Sequence, residues 1–282
     1  MGLRINTNVA SLNAQRNLTG TKWGLDKSLE RLSSGYRINR AGDDAAGLAI
    51  SENLRAQVRG LKQASRNAQD GVSLVQVAEG GLNEMSSILI RLRELAVQAA
   101  SDTIGPVERQ FLNVEYDQLV SEIDRIADAT EFNGTQLLSG TGSVLDFQVG
   151  TRNDPNIDRL TFDASKADAN SAALGVNLTS VADKPSAQNS LADIDAAIVS
   201  VSAMRADFGA IQNRLQSTIG NIAVSVENLS AANSRIRDVD VAEETAELTR
   251  NNILLQAGTS VLAQANQTSN TALSLLNKTF QG

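Results

Sequence analysis

Only three prolines occur in the 282-residue chain, Pro106, Pro155 and Pro185, and all lie in its middle. A proline inside a helix removes a donor and clashes with the preceding turn. Residues 1–105 and 186–282 contain no such interruption, and both read as long helical territory. Between Leu191 and Ile236 apolar residues recur at steps of three, four or seven, which places them on one face of a single helix. A second run starts at Leu54, Val58 and Leu61 and continues to Ala96 and Ala99. A helix from about 44 to 100 would be about 85 Å long at the usual rise of about 1.5 Å per residue. A globular core does not need an element of that size; a bundle or a filament does.

Between these runs a shorter helix is predicted. Gly105-Pro106 supplies its cap and first turn, and Leu112, Leu119, Ile123 and Ile126 its stripe. Asn133-Gly134 is a turn signal that ends it. Val144, Phe147 and Val149 lie before Asp154-Pro155, and Leu160 and Phe162 lie beyond, which reads as one small β-hairpin. Residues 163–188, rich in Ala, Ser and Asn, read as loop. Both ends are helical. Ile5, Val9 and Leu12, then Leu25, Leu29 and Leu32, step by three and four. Val241, Leu248, Leu255, Leu262, Ser269 and Leu276 fall seven apart, the spacing of a coiled coil.

Two absences exclude much chemistry. Without Cys there are no disulfides or thiolate sites, and without His there is no Ser-His-Asp triad and no His-ligated metal. Aromatic residues make up 3%, so the apolar 41% is mostly aliphatic and suits helix seams. The net charge of −7 argues against nucleic acid as a partner. Residues 1–80 nevertheless hold 11 Lys and Arg against 7 Asp and Glu, so the acidic excess lies downstream. No secretory signal peptide is evident after Met1-Gly2-Leu3-Arg4, and polar residues interrupt every candidate membrane span.

The last 32 residues, 251–282, contain a single charge, Lys278. Apolar residues stand side by side at Ile253-Leu254-Leu255, Val261-Leu262 and Leu275-Leu276. Adjacent residues point about 100° apart on a helix, so this apolar surface is wider than one seam buries. The other face is Gln, Asn, Ser and Thr, which hydrogen-bond in an interface without burying charge. Such a segment is built to be covered from several sides.

The run Leu32-Ser33-Ser34-Gly35-Tyr36-Arg37-Ile38-Asn39-Arg40-Ala41-Gly42-Asp43-Asp44-Ala45-Ala46-Gly47-Leu48-Ala49-Ile50 resembles the signature near the start of bacterial flagellins. Ser234–Asp240 and Gln256–Gln267 resemble their C-terminal region, and Arg93–Ala99 and Phe132–Thr135 are similar as well. The signature also reads locally. Gly35 suits a helix C-cap, and Asp43 and Asp44 suit a helix start, with Arg37 and Arg40 near enough to pair with them. Two neighbouring acids also fit a metal or general-base site, but a capped helix start is the simpler reading.

With the periodicity, the resemblance implies a mainly α fold. Paired N- and C-terminal segments would form a long antiparallel helical bundle or coiled coil, with one small β-hairpin region in the middle. Residues 1–42 with 240–282 would form a terminal coiled-coil domain in a filament core. Residues 43–239 would form a helical rod domain, with hairpin and loop around 139–188. The resemblance implies a non-enzymatic subunit without cofactor that self-assembles into the flagellar filament for motility, without outer variable domains. It implies export through the flagellar apparatus. The partners would be copies of itself, the filament cap, the hook-filament junction protein and an export chaperone. Leu25, Leu29, Leu32, Leu248, Leu255, Val261, Leu262 and Leu276 would make the polymer core interface. In flagellins detected by a vertebrate innate immune receptor, an Arg-x-x-x-Leu pair and a downstream Glu form the contact patch; the matching residues are Arg91, Leu95 and Glu115, whose main role would be packing between filament strands, with receptor recognition incidental.

Three alternatives bear weighing. A hook-filament junction protein shares the N-terminal signature, but Gln256–Gln267 resembles flagellin better. An inserted metalloprotease is excluded by the missing His, and acidic pairs such as Glu243-Glu244 read as solvated surface. A soluble coiled-coil signalling module does not fit the uncharged C-terminus.

Overall fold

A computed structural model describes residues 7–279 of the chain, with side chains up to Gln267. Ile5 and the side chains of Ser269, Leu275, Leu276 and Lys278 lie outside the described residues. In chain order the elements are α1 (Val9–Ser34), α2 (Ala45–Ala99), α3 (Pro106–Ala129), β1 (Glu131–Phe132), β2 (Thr135–Gln136), β3 (Val144–Gln148), β4 (Arg159–Asp163), α4 (Lys184–Arg237) and α5 (Val241–Thr279). A 3-10 turn covers Ala164–Lys166. The chain packs as two units, Met1–Ala56 with Leu229–Gly282, and Gln57–Asn228. Both limits fall inside long helices, α2 and α4, where no sequence punctuation marks them.

The 57–228 unit holds the large core. Leu82, Met85, Leu89, Leu92, Leu95 and Ala96 of α2 are fully buried. Their steps of three and four make one stripe. Tyr116 and Ile123 of α3 and Ile194, Val201, Phe208 and Leu215 of α4 join the same cluster. Burying each such large side chain contributes roughly 1.5–3 kcal/mol before ordering entropy is subtracted. Gly105 caps α3 with Pro106 in its first turn. Three residues on, the Arg109 guanidinium donates to the Ala99 and Ser101 carbonyls, each at 2.8 Å. It thereby satisfies carbonyls that the end of α2 cannot pair internally.

Asn133 and Gly134 have φ of 51° and 77°, the two-residue turn that matches strand twist, and they join β1 to β2. The turn residues foreseen as a helix end thus make a hairpin of their own. The second hairpin pairs Val144 with Asp163 through Gln148 with Arg159. It is the one foreseen from the sequence. Phe162 of β4 is 1% exposed and lies 5.2 Å from the Phe208 ring.

The loop foreseen over 163–188 is shorter: Asp163 ends β4, a 3-10 turn follows, and α4 opens at Lys184, leaving 167–183 irregular and in part buried. Ala169, Leu174, Val176 and Val181 are buried. One face of α3 holds this segment. Asn113 Oδ1 accepts from the Ser180 hydroxyl and the Val181 N–H, both at 2.9 Å. The Tyr116 hydroxyl lies 2.6 Å from Thr179 Oγ1, and burial pushes its pKa up. Asp124 accepts from the Ser171 N–H at 2.7 Å and its hydroxyl at 2.8 Å. Pro185 sits in the first turn of α4, where its missing N–H has no helical partner to lose.

In the other unit, Asn8 caps α1 by accepting from the Ser11 N–H at 3.0 Å. Gly35 closes α1 in the left-handed conformation, φ 73°, with its N–H on the Arg31 carbonyl at 2.8 Å. Asp44 opens α2 by accepting from the Gly47 N–H at 2.9 Å. The guanidinium partners foreseen for these acids are not the ones found. Lys27 pairs with Asp43 at 2.7 Å, Arg40 pairs with Glu30 at 2.9 Å, and Arg37 donates to the Ile236 carbonyl at 2.8 Å. Residues 35–40 leave the helix, so the Arg37 and Arg40 guanidiniums reach other elements rather than the acids next to them in sequence.

Leu89→Ala should cost about 2–5 kcal/mol through the cavity it leaves. Phe111→Ala, at a position 71% exposed, should change stability by less than about 0.5 kcal/mol. Urea unfolding of the two variants, followed by circular dichroism, checks the difference.

Candidate assembly surface

The element pair nearest the two ends of the chain is α1 with α5. Contacts along it run in opposite directions. Asn8 donates to the Ala265 carbonyl at 2.8 Å, and the Ser11 hydroxyl to Asn266 Oδ1 at 2.9 Å. A Cβ placed on Gly258 would lie 3.2 Å from Leu18, and one on Gly24 3.3 Å from the Asn251 amide. Arg31 pairs with Glu244 at 3.3 Å. The helices are therefore antiparallel in one register over most of α1.

Each helix contributes two positions of a seven-residue repeat. On α5 these are Val241, Leu248, Leu255 and Leu262, and then Glu244, Asn251, Gly258 and Ala265. On α1 they are Ser11, Leu18, Leu25 and Leu32, and then Ala14, Thr21 and Ser28. Each large side chain can thus stand beside a small one, as Leu18 does with Gly258. The most buried members are small or polar: Ser11, Ser28, Glu244, Asn251 and Ala265. Leu18, Leu25, Leu32, Leu248, Leu255 and Leu262 are half-buried. Outside the seam, Leu12, Trp23, Leu29, Ile253, Leu254 and Val261 are 48–71% exposed. An isolated pair ordinarily carries charge outside its seam; here large apolar side chains stand there as well.

Of the residues singled out from the sequence, Leu25, Leu32, Leu248, Leu255 and Leu262 occupy seam positions of the chain's own pair. Leu29 and Val261 face outward, and the Leu276 side chain lies outside the described residues. The buried polar set escaped the sequence reading. Its signal was the second seven-spaced series from Glu244, and Glu244, expected on a solvated surface, is 8% exposed.

The helix breaks at 35–44 and 238–240 face each other. Tyr36 and Asp238 form an antiparallel bridge. The Arg37 N–H donates to the Arg237 carbonyl at 2.7 Å, and the Val239 N–H to the Gly35 carbonyl at 3.1 Å. The Arg237 guanidinium lies 4.6 Å over the Tyr36 ring and pairs with Glu52, holding that carboxyl below its usual pKa. Among the described residues no group of three acids suits a metal ion, and no helix is long and apolar enough to cross a membrane.

Residues 5–143 match the family model for the bacterial flagellin N-terminal helical region, and residues 191–276 that for the C-terminal helical region. The chain belongs to the bacterial flagellin family. It is 49% identical to a flagellin of Halalkalibacterium halodurans over 96% of this chain and 99% of that one. A flagellin of Bacillus subtilis is 46% identical over 97% of this chain and 100% of that one. The crystal structure of Bacillus cereus flagellin matches at 34% identity with a TM-score of 0.50, over 60% of this chain and 94% of that one. The protein is a filament subunit of the short form, with no large variable domain, and nothing favours the junction-protein alternative.

In the 57–228 unit of this flagellin, Arg91 forms an exposed fork. Its guanidinium donates to Glu115 at 2.8 and 3.0 Å and to Glu94 at 3.0 Å, which pushes its pKa up. Leu95, one turn along, is fully buried. Arg91 and Glu115 are therefore brought together at the surface, while Leu95 packs beneath them.

The Asp43 carboxyl is held at about 2, chiefly by the Lys27 ammonium; burial opposes this, and the Arg40 and Asn39 N–H groups add to the lowering. An unfolded Asp titrates near about 3.9. The folded value is the lower, so this contribution to stability is complete above about pH 4 and is lost as pH falls toward about 2. Amide exchange over residues 39–48, corrected for intrinsic rates, should accelerate on acidification from about pH 5 to about pH 2. Asp43→Asn should exchange faster at about pH 5 and respond less to acid.

Proposed function

We propose that copies of this chain join in the filament core through the outward faces of α1 and α5. The observation that carries this reading is the row of exposed large side chains, Leu12, Trp23, Leu29, Ile253, Leu254 and Val261, left uncovered by a helix pair whose seam already takes the leucine series. From Asn251 to Gln267 the sequence of α5 carries no charge, so a covering neighbour meets no ionic group to desolvate there. Residues 1–42 and 240–282 line the core in this reading, and residues 43–239 lie outside it. Leu25, Leu32, Leu248, Leu255 and Leu262 hold the chain's own pair together, while Leu29 and Val261 meet neighbours. Leu276 continues the seven-residue series toward the end of the chain.

The role is structural and not catalytic. Export proceeds through the flagellar apparatus, with an export chaperone covering α5 before assembly, and the filament cap and hook-filament junction protein contact the same terminal pair. A vertebrate innate immune receptor would meet the exposed Arg91–Glu115 pair, with Leu95 fixing the Arg91 turn from within. Support for that last partner is the exposure of both charged groups, 48% and 45%.

Ile253→Lys with Val261→Lys should abolish elongation of added filament seeds. The unfolding midpoint of the 57–228 unit should stay unchanged, because both positions are exposed and belong to the other unit. Removal of 251–282 should act the same way. Light scattering and negative-stain microscopy read both; normal filament growth by either chain would refute the outward faces as the joining surface. Separately, Arg91→Ala should weaken binding to the receptor ectodomain by roughly tenfold, the effect of losing one charged contact.

A further inference from the structure

The seam between α1 and α5 is not built for tightness. Its most buried side chains are Ser11, Ser28, Glu244, Asn251 and Ala265, and among them only Ala265 is apolar. An apolar residue at Glu244 or Asn251 would bury more surface and desolvate nothing. Buried polar and ionic groups in a helix pair have another effect: they penalise every register but one, because any slip leaves them buried without a partner.

Resting on the assembly reading above, we infer that the Arg31–Glu244 pair, with Ser11–Asn266 and the Gly24–Asn251 contact, is a register lock that selects in-register pairing of α1 and α5 within one chain. Three observations converge. The Arg31 side chain is 25% exposed and that of Glu244 10%, so the pair is largely withdrawn from water. The geometry is loose, 3.3 Å through one nitrogen, and the buried Arg31 Nε has no acceptor. A pair so imperfectly satisfied adds little stability but costs much when one partner is removed. Finally, Glu244, Asn251, Gly258 and Ala265 repeat every seven residues, so a slip of one repeat would leave the leucine series matched. Leucines alone cannot distinguish the registers. With that slip Glu244 would leave Arg31, and Gly258 would leave Leu18 to Asn251 or Ala265.

The lock also explains how an apolar exterior is tolerated. Neighbouring chains present the same α5, uncharged from Asn251 to Gln267, which competes for α1 during assembly. A polar seam with one correct register makes the intrachain pair distinct from the interchain contacts around it.

The test is a charge exchange. Arg31→Glu and Glu244→Arg should each slow seeded elongation by at least roughly tenfold. The double variant should recover to within about threefold of the unmodified chain, and an equimolar mixture of the two single variants should remain slow. Unimpaired single variants, or rescue by the mixture, overturns the inference. Failure of the double variant alone is resolved by cross-linking. The chain has no cysteine, so Leu18→Cys with Gly258→Cys introduces one possible intrachain disulfide at the in-register contact. It should form in the parent background, fall by at least about tenfold in each single charge variant and return in the double. Undiminished cross-linking in the single variants, or no return in the double, overturns the lock. A parent chain that forms the disulfide but elongates no seed refutes the assembly reading and leaves the register intact.

Discussion

Everything in the terminal unit follows from the pairing of α1 with α5 in a single antiparallel register. A helix with no charge from Asn251 to Gln267 is poorly solvated alone, and one partner helix covers only one stripe of it. The stripe that is covered combines half-buried leucines with small and polar residues that are the most buried. Leu18 beside Gly258, Asn251 beside Gly24 and Arg31 beside Glu244 bring the helices close at small residues and fix their offset at polar ones. Ile253, Leu254 and Val261 are left facing out. Helix propensity alone would not choose this face; the choice lies in where the small and polar residues repeat.

The register persists where the helices stop. Gly35 can end α1 only because its left-handed turn redirects the chain, and the redirected segment then needs partners for its own N–H and carbonyl groups. Those partners are supplied by the break between α4 and α5, through Arg37 to Arg237 and Val239 to Gly35. Arg237 closes the arrangement over Tyr36 and onto Glu52. Two helix ends that would each carry unsatisfied groups instead satisfy one another, which requires that the helices arrive in step.

How much of this was legible beforehand depended on the kind of signal. Long helices were readable because proline is confined to three central positions and the stripes from Leu54 and from Leu191 keep one period. The hairpin was readable from Phe147 and Phe162 flanking Asp154-Pro155. Buried content in 167–183 was not. Its five buried apolar residues follow no period, and only Asn113, Tyr116 and Asp124 on a distant helix reveal that they are held. At the assembly surface the leucine series was visible and its meaning was not. Sequence reading finds large residues first, whereas Glu244 and Asn251 carry the offset because they are polar and buried, and burial depends on the partner. Arg37 and Arg40 were misassigned for a related reason: proximity in sequence is a poor guide once the chain leaves the helix.

On the proposed joining surface, magnitudes favour a polymer over a dimer. The outward side chains of α1 and α5 are already 29–52% covered in the single chain, given exposures of 48–71%. Covering the remainder contributes about 1 kcal/mol apiece, because full burial of such a side chain is worth roughly 1.5–3 kcal/mol. One neighbour reaches only part of the row, for a gain of a few kcal/mol, against an association cost of roughly 4–15 kcal/mol. A second and third neighbour add contact area without repeating the full ordering of the terminal pair, so growth at an existing end is favoured over a fresh encounter. A surface this broad and this weakly favourable per contact is suited to a site with neighbours on several sides, which is what a helical lattice of heterologous contacts supplies.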